Sequence, residues 1–445
     1  MDIVIAGAGQ VGFHIAKQLS EEKKHVALIE KNKDKAAFAS ENLDCMVING
    51  DATNIDTLKD AGCDSASMFI AVTNSDEINI LSCLLVSSNF NIEKKIARLR
   101  NLEYTKPFSS NKGIGIDFII NPEVEAARSI INSVNFGASS DIIIFEDTDI
   151  QMRGIYINKD SPLLNKNIND IKRTINKDFI ISSIKRENGD LIIPKGFSEV
   201  KEGDYIYIVA KRHIMEEMLE KLGKARIRIK NIAIFGGSKI GLMAAKGLKG
   251  KNRNIKIIDK DYEKCKDISK ECPKAIVING DASDADIFEE ENIADFDVVI
   301  TSTGNEEINL LSALYSKNIG VKRSIALIDK QNYTTMASKL NIDSVVSPKL
   351  SAVSSILKFI RKGNIVGVYS IFGGEAEALE LSISNESNFQ NKKIKDIKLP
   401  KNTLIVAVSR KSQTIIPDGN FRIENDDRIV MFAKKEDIPE IEKMV

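Results

Sequence analysis

Short apolar runs alternate with amphipathic stretches along the first 121 residues of the chain. DIVIA, HVALIE, CMVIN, SMFIAV, KIARL and DFIIN are five or six residues long, which is strand length and too short for a helix. Between them, segments such as VGFHIAKQLSEE and EINILSCLLVSSNF carry apolar residues at i, i+3 and i+4, the spacing that lines one face of an α-helix. Strands and helices alternating in this way predict a parallel sheet covered on both faces, the doubly wound arrangement.

The pattern then starts again at residue 231. NIAIF, IKIID, AIVIN, DVVIT, SIALI and DSVVS repeat the strand runs, and Gly7, Gly12 and Glu30 recur as Gly236, Gly241 and Asp259, 229 residues further on. NGDAT at 49–53 matches NGDAS at 279–283, and TNSDEINILS at 73–82 matches TGNEEINLLS at 303–312. Matches kept in constant order mark the duplication of a whole unit. Each series is followed by a helix of roughly three turns, EVEAARSIINSV or KLSAVSSILKFI. After it the period changes to two: DLIIPKGFSEVKEGDYIYIVAKR and QTIIPDGNFRIENDDRIVMFAKK alternate like strands, with turn residues between, and share IIPxG. The expected fold class is α/β: two tandem Rossmann-like, doubly wound parallel-sheet lobes, each followed by a small β-rich α+β domain. The expected units are 1–136, 137–222, 223–362 and 363–445.

Composition narrows the chemistry. The 63 basic and 63 acidic residues cancel, so no nucleic-acid partner is expected. The longest apolar runs fall far short of the roughly 20 residues of a membrane helix, and no charged-then-apolar leader precedes them, so a cytosolic chain is expected. Five cysteines without a CxxC pair read as reduced thiols, and His14, His25 and His213 stand in no metal-ligand spacing, so no metal site is expected.

The chemical signal is GAGQVG, at Gly7, Ala8, Gly9, Gln10, Val11 and Gly12, directly after a strand and opening a helix. In a G-x-G-x-x-G turn the first glycine permits the tight bend, the second lets backbone approach a pyrophosphate, and the third lets the helix pack on the sheet. Glu30 ends the second strand, where a carboxylate accepts hydrogen bonds from an adenosine ribose and repels a 2′-phosphate. It thus selects NAD, NADH, ATP or ADP over NADP without choosing among them. Asp51 has two readings, a ligand contact at the C-terminal edge of the sheet or a turn residue. Thr73 and Asn74 close the fourth strand beside the same crevice. Arg98 reads as a phosphate contact or a solvated surface arginine.

The second copy is altered. Ser238 replaces the glycine that should meet pyrophosphate, and its side chain is expected to crowd that approach. Gly236 and Asp259 remain, Lys239 stands where the first copy has Gln10, and Leu327 takes the place of Arg98. A weaker mononucleotide site or a purely structural lobe is expected there.

GAGQVG, Glu30, NGDAT, VTNSDEINI, IARLRN and NPEVEAARSII, together with SPKLSAVSSILKFIRKGNIVGVYSIFGGEAEALE, resemble the TrkA family, regulatory subunits of Trk potassium-uptake systems built from tandem RCK units. The resemblance spans essentially the whole chain. It implies four chains in a ring at the inner face of the cell membrane, docked on a membrane-embedded potassium-transporting partner and controlled by NAD(H), ATP or ADP. It also places cofactor contacts on Gly7, Gly9, Gly12, Glu30, Asp51, Thr73 and Arg98. Related ATP-binding units carry arginine at the position of Gln10, which tilts the first site towards NAD(H). The competing class is an NAD-dependent oxidoreductase, which needs a proton donor beside the nicotinamide. None of the three histidines falls at the C-terminal crevice, spacing leaves a catalytic Lys or Tyr open, and the duplication, which suits a molecule that changes shape between ligand states, makes a non-enzymatic regulator the expectation.

Overall fold

The computed structural model describes residues 1–101, 103–104, 115–136, 142–145, 148–221, 229–250, 252–330, 332–333, 336–337, 340, 342–360, 365–372, 375–385, 387–411 and 413–444. The expected unit boundaries at 136/137, 222/223 and 362/363 fall at or within stretches outside the described residues.

The first lobe runs β1 (Ile3–Ala6), α1 (Gln10–Glu21), β2 (Val26–Glu30), α2 (Lys33–Asn42), β3 (Met46–Asn49), α3 (Ile55–Asp60), β4 (Met68–Ala71), α4 (Asp76–Asn89), β5 (Lys94–Arg98) and β6 (Phe118–Ile120). The strands lie in the order β3-β2-β1-β4-β5-β6 and all pair in parallel. Every residue of β1 and β4 is buried, as expected for central strands covered by helices on both faces. Strand order reverses between β1 and β4, and ligands of doubly wound sheets bind at that switch point, above the C-terminal strand ends.

Helix α5 (Pro122–Phe136) leads to the first small domain: β7 (Ile142–Ile144), β8 (Ile150–Tyr156), α6 (Ile168–Ile175), β9 (Phe179–Lys185), β10 (Leu191–Ile192), β11 (Tyr205–Lys211) and α7 (Arg212–Lys221). The second half repeats both parts. Its lobe comprises β12 (Asn231–Phe235), α8 (Lys239–Leu248), β13 (Asn254–Asp259), α9 (Tyr262–Glu271), β14 (Ile276–Asn279), α10 (Ala285–Glu290), β15 (Val298–Thr301), α11 (Glu306–Asn318), β16 (Arg323–Leu327) and β17 (Ser344–Val346). Helix α12 (Pro348–Ile360) then leads to β18 (Ile365–Ile371), β19 (Ala376–Ser382), β20 (Thr403–Arg410), β21 (Gln413–Ile415), β22 (Arg428–Lys434) and α13 (Ile438–Glu442). The lobe sheets share one strand order, and the two small antiparallel sheets share another, β10-β9-β11-β8-β7 corresponding to β21-β20-β22-β19-β18.

The halves are interlocked. Ala126, Ala127, Ile130 and Val134 of α5 are buried in the core of the second lobe, while Ala352, Val353, Ile356 and Leu357 of α12 are buried in that of the first. Between the crossing helices, Ser355 Oγ donates to Glu125 Oε2 at 2.7 Å. The small sheets share a core too, in which Phe145, Met152 and Tyr207 meet Ala378, Val430 and Phe432. Apolar faces left open by one repeat are thus closed by the other, and the duplication works as a dimer within one chain.

Candidate nucleotide site

At the switch point the chain leaves β1 through Gly7 at φ +104°, a conformation that side chains rarely adopt, and a Cβ there would lie 2.9 Å from the Thr73 Cα. A Cβ on Gly12 would lie 1.9 Å from the Gly7 carbonyl oxygen, so α1 rests directly on the turn. Gly9 differs from both. Its backbone is ordinary (φ −65°, ψ 178°), and a Cβ would have a single neighbour, Asn74 Oδ1 at 3.9 Å. Nothing in the protein's own packing requires glycine at this position, which leaves bare backbone facing open space. No side chain caps α1, so the N–H groups of its first turn are presented to that space.

Glu30 fixes the loop: Oε2 accepts from Ala8 N at 2.7 Å and Oε1 from Asn32 N at 2.9 Å. Two of its roughly four acceptor positions are used. Asp51 performs the turn role, accepting from Thr53 N at 2.9 Å and Thr53 Oγ1 at 2.7 Å, while its other oxygen pairs with Lys31 Nζ at 2.8 Å. The Lys31 bond, followed by the bonds from Thr53, holds its pKa down at about 2. Thr73 is committed to the fully buried Asn79, whose Oδ1 accepts from Thr73 N at 2.8 Å and Oγ1 at 2.7 Å. Asn79 Nδ2 donates onward to the Arg98 carbonyl at 2.8 Å, tying the ends of β4 and β5 together. Arg98 is not a solvated surface residue: it is 8% exposed, and its buried Nε has no partner among the described residues.

These residues frame two clefts. One, of about 300 Å³, is lined by Gly7, Glu30, Lys31, Asp51 and Thr73. The other, of about 380 Å³, lies between the lobes and takes in Gln10, Val11 and Arg98. Gly9, Lys35 and Asn74 line both, so the clefts meet across the glycine loop. A group with phosphates flanked by adenosine fits this form, because the bare Gly9 lies between a carboxylate suited to ribose and a buried arginine short of a partner. Among the described residues, no cluster of His, Cys, Asp and Glu could hold a metal ion.

The second lobe has the same frame, with Gly236 at φ +97° and Asn309 bridging Thr303 to the Leu327 carbonyl. Its binding groups are engaged by the lobe itself. Ser238 has almost the backbone of Gly9 (φ −63°, ψ 165°), and its hydroxyl accepts from Gly241 N at 3.1 Å, capping α8. Beside the steric crowding expected of this serine, its hydroxyl occupies an N–H of the first turn of α8. Asp259 accepts from Gly237 N at 2.7 Å and from Lys264 Nζ at 2.6 Å. Burial works to raise its pKa, but Lys264 and the N–H groups of Asp261 and Gly237 outweigh it and hold the value below the ordinary one. The Ile268 side chain fills the space beside Gly237, where a Cβ would meet its Cδ1 at 2.1 Å.

Removing that lysine has a signed consequence. Because the folded-state pKa of Asp259 is depressed, its stabilisation is fully present above the unfolded value near 4 and is lost as pH falls from there through the lower folded value. Lys264→Met should therefore lower stability at pH 7 by about 1–2 kcal/mol, discounted because the lysine is partly exposed, and by much less at pH 3. Thermal unfolding at the two pH values checks this, and an equal loss at both would remove the ion pair as the cause.

Models of the TrkA-N domain match residues 3–122 and 232–348, and models of the TrkA-C domain match 152–223 and 378–445. The chain is 34% identical to Trk system potassium uptake protein TrkA homolog 1 of Methanosarcina mazei, over 100% of this chain and 99% of that protein. It is 31% identical to Trk system potassium uptake protein TrkA of Azorhizobium caulinodans, over 100% of this chain and 98% of that one. The chain belongs to the TrkA family. Solved structures share the fold of this TrkA-family chain. The crystal structure of the GsuK RCK domain gives a TM-score of 0.59 at 17% identity, over 100% of this chain and 94% of that one. The GsuK channel bound to NAD gives 0.58 at 17%, over 100% and 78%.

In this TrkA-family chain the structure gathers Gly7, Ala8, Gly9, Gln10, Val11, Gly12, Glu30, Asp51, Thr73, Asn74 and Arg98 around one loop, with Gly236 and Asp259 at the equivalent loop of the second lobe. Three residues escaped the sequence reading. Lys35 lines both clefts from α2 with no ion pair among the described residues, whereas Lys264, its counterpart 229 residues later, is spent on Asp259. Asn79 is the buried link under Thr73 and Arg98. The signal for Asn79 was its repetition in DEIN and EEIN; for the lysines it was the common offset, read for register alone.

Proposed function

We propose that the first lobe binds an adenosine nucleotide, NAD(H) or one of ATP and ADP, and that the chain uses it to regulate potassium uptake by a membrane-embedded Trk-type transporter subunit. The observation that carries this reading is the bare, uncapped Gly9 between Glu30 and Arg98, where two clefts meet. We assign the units as 1–136, 137–222, 223–362 and 363–445. The chain works as a non-catalytic homotetramer at the cytoplasmic membrane face. No described helix is long and apolar enough to cross a membrane, so on this reading contact is through a docking surface. The duplication of lobe and small domain, which lets each half bias a shared interface, favours a sensor over an oxidoreductase. A nucleotide acts here by binding one arrangement of the interlocked lobes more tightly than another, typically with a coupling of roughly 1–3 kcal/mol.

Calorimetry with NAD, NADH, ATP, ADP and NADPH tests the reading. Glu30→Gln should weaken every adenosine ligand with a free 2′-hydroxyl by about 1.5–3 kcal/mol, roughly 10- to 150-fold, as loss of a hydrogen bond to a charged acceptor. Unchanged affinities would remove Glu30 from the site. In cells, deletion of the protein should impair growth under potassium limitation, and unimpaired uptake would sink the transport role.

A further inference from the structure

The second lobe holds a cavity of about 250 Å³ away from its glycine loop. It lies beyond the end of α8, where Lys249 closes the helix, and takes in the start of β13 and the turn that joins α9 to β14. Helix α8 follows Ser238 and is 10 residues long, which puts the cavity about 15 Å from the loop, at the opposite end of the sheet. Ala245, Ile255 and Cys272 form a buried apolar floor, and burial pushes the Cys272 thiol up, so the floor is uncharged. Lys249, Arg253 and Lys274 stand on the walls.

None of these three cations is in an ion pair or hydrogen bond among the described residues, and Glu271, the acid that ends α9, is taken by Lys246 at 2.6 Å. Arg253 Nε is enclosed without a partner, and burial lowers the pKa of its guanidinium with no acid acting against it. A cation at a helix C-terminus offsets the dipole, but an enclosed N–H needs an acceptor. The first copy has no such cluster. Ser20, Glu21 and Lys24 stand where the second has Lys249, Gly250 and Arg253, and the turn Asp44-Cys45 is replaced by Pro273-Lys274-Ala275, one residue longer. Glu21 and Asp44 have no acidic counterpart, and Lys249 and Lys274 are cations that the first copy lacks; only Lys23 is lost, to Asn252.

We propose that this cavity binds a phosphate monoester, with the phosphate between Lys249, Arg253 and Lys274 and a small apolar body on Ala245, Ile255 and Cys272. A monoester carries about −1.5 to −2 charge near pH 7 and three terminal acceptor oxygens, which suits three cations around one hollow, whereas a carboxylate offers one charge and two oxygens. The guanidinium supplies N–H groups in a fixed fork and the lysines act as point charges. At about 250 Å³ the cavity is smaller than a drug-sized site, so it takes a small molecule or the headgroup of a lipid. It shares no residue with the clefts at the glycine loop of the first lobe, so it stands or falls independently of nucleotide binding. Because α8 packs in one core with α5 of the first half, a ligand at its end biases the arrangement of the interlocked lobes by a second route.

Calorimetry of the full chain with phenyl phosphate, inorganic phosphate and benzoate tests the site, together with flotation on phosphatidylcholine vesicles with and without phosphatidate. Phenyl phosphate should bind about tenfold or more tightly than inorganic phosphate, which leaves the apolar floor empty, and than benzoate, which lacks the second charge. Arg253→Met and, separately, the exposed pair Lys249→Gln with Lys274→Gln should each weaken it about tenfold or more, with affinity for adenosine nucleotides unchanged. Phenyl phosphate binding without flotation supports a soluble monoester, and flotation that needs both phosphatidate and Arg253 supports a lipid headgroup. No binding in either arm, binding that either set of variants leaves intact, or inorganic phosphate or benzoate as tight as phenyl phosphate overturns the proposal.

Discussion

Gly12→Ala should destabilise the first lobe by about 3 kcal/mol or more, the upper range for overpacking, because its methyl has nowhere to go. The added carbon would lie 1.9 Å from the Gly7 carbonyl oxygen, a backbone atom that cannot swing aside. Helix α1 must then lift off the turn, drawing Val11, Ile15 and Leu19 from a core that they share with α12 of the second half. The strain should therefore be felt across the interlocked repeats. Gly304→Ala is the matched control, since a Cβ there meets nothing within 4 Å, and it should stay within about 0.5 kcal/mol of the parent. Chemical denaturation of both variants measures the difference; a Gly12→Ala midpoint equal to that of the control would mean that the turn and helix have slack.

Gly9→Ser should separate binding from stability. The position has room for a Cβ and the backbone angles of Ser238, so the new hydroxyl should cap α1 as Ser238 caps α8. Stability should hold or rise by a few tenths of a kcal/mol, the difference between glycine and serine as caps. Nucleotide affinity should fall by about 1.4–2.7 kcal/mol, roughly 10- to 100-fold, because an N–H meant for phosphate is already taken. The reciprocal change is not expected to suffice alone. In Ser238→Gly, Lys264 still holds Asp259 and Ile268 still fills the space beside Gly237, so new binding at the second lobe should emerge only when Lys264→Met is added. Full nucleotide affinity in Gly9→Ser would refute the capping account, and tight binding at the second lobe of Ser238→Gly would show that Lys264 is easily displaced.

The glycine loop was readable because its constraints are local. A turn at positive φ, a helix starting three residues later and an acid at the end of the next strand all fall within 24 residues, and each leaves its mark in residue type or period. The lobe sheets were readable for the same reason, as were the small domains, whose alternation of period two survives even in isolation. Duplication added register: agreement between two copies fixed which runs were equivalent strands. Asp51 shows the limit of such reading. Its position after a strand suited ligand and turn alike, and the bonds from Thr53 and Lys31 had to be seen before the turn role was established.

What local pattern determined, then, is the two-fold series of strands and helices and the loop that can receive phosphate. What it left open depends on groups brought together from distant parts of the chain. The apolar faces of α5 and α12 demanded cover, but periodicity says that a face is apolar without saying whose sheet it meets, and each helix crosses to the other lobe. Arg98 suited a phosphate contact and a solvated surface position alike, and its burial beside residues of the second lobe removes the second reading. Lys35 and Lys264 occupy the same place in their repeats, yet one faces open clefts and the other neutralises a buried acid. Side-chain direction, burial and charge pairing are properties of the assembled interior, where distances of a few ångströms choose between a binding group and a structural one.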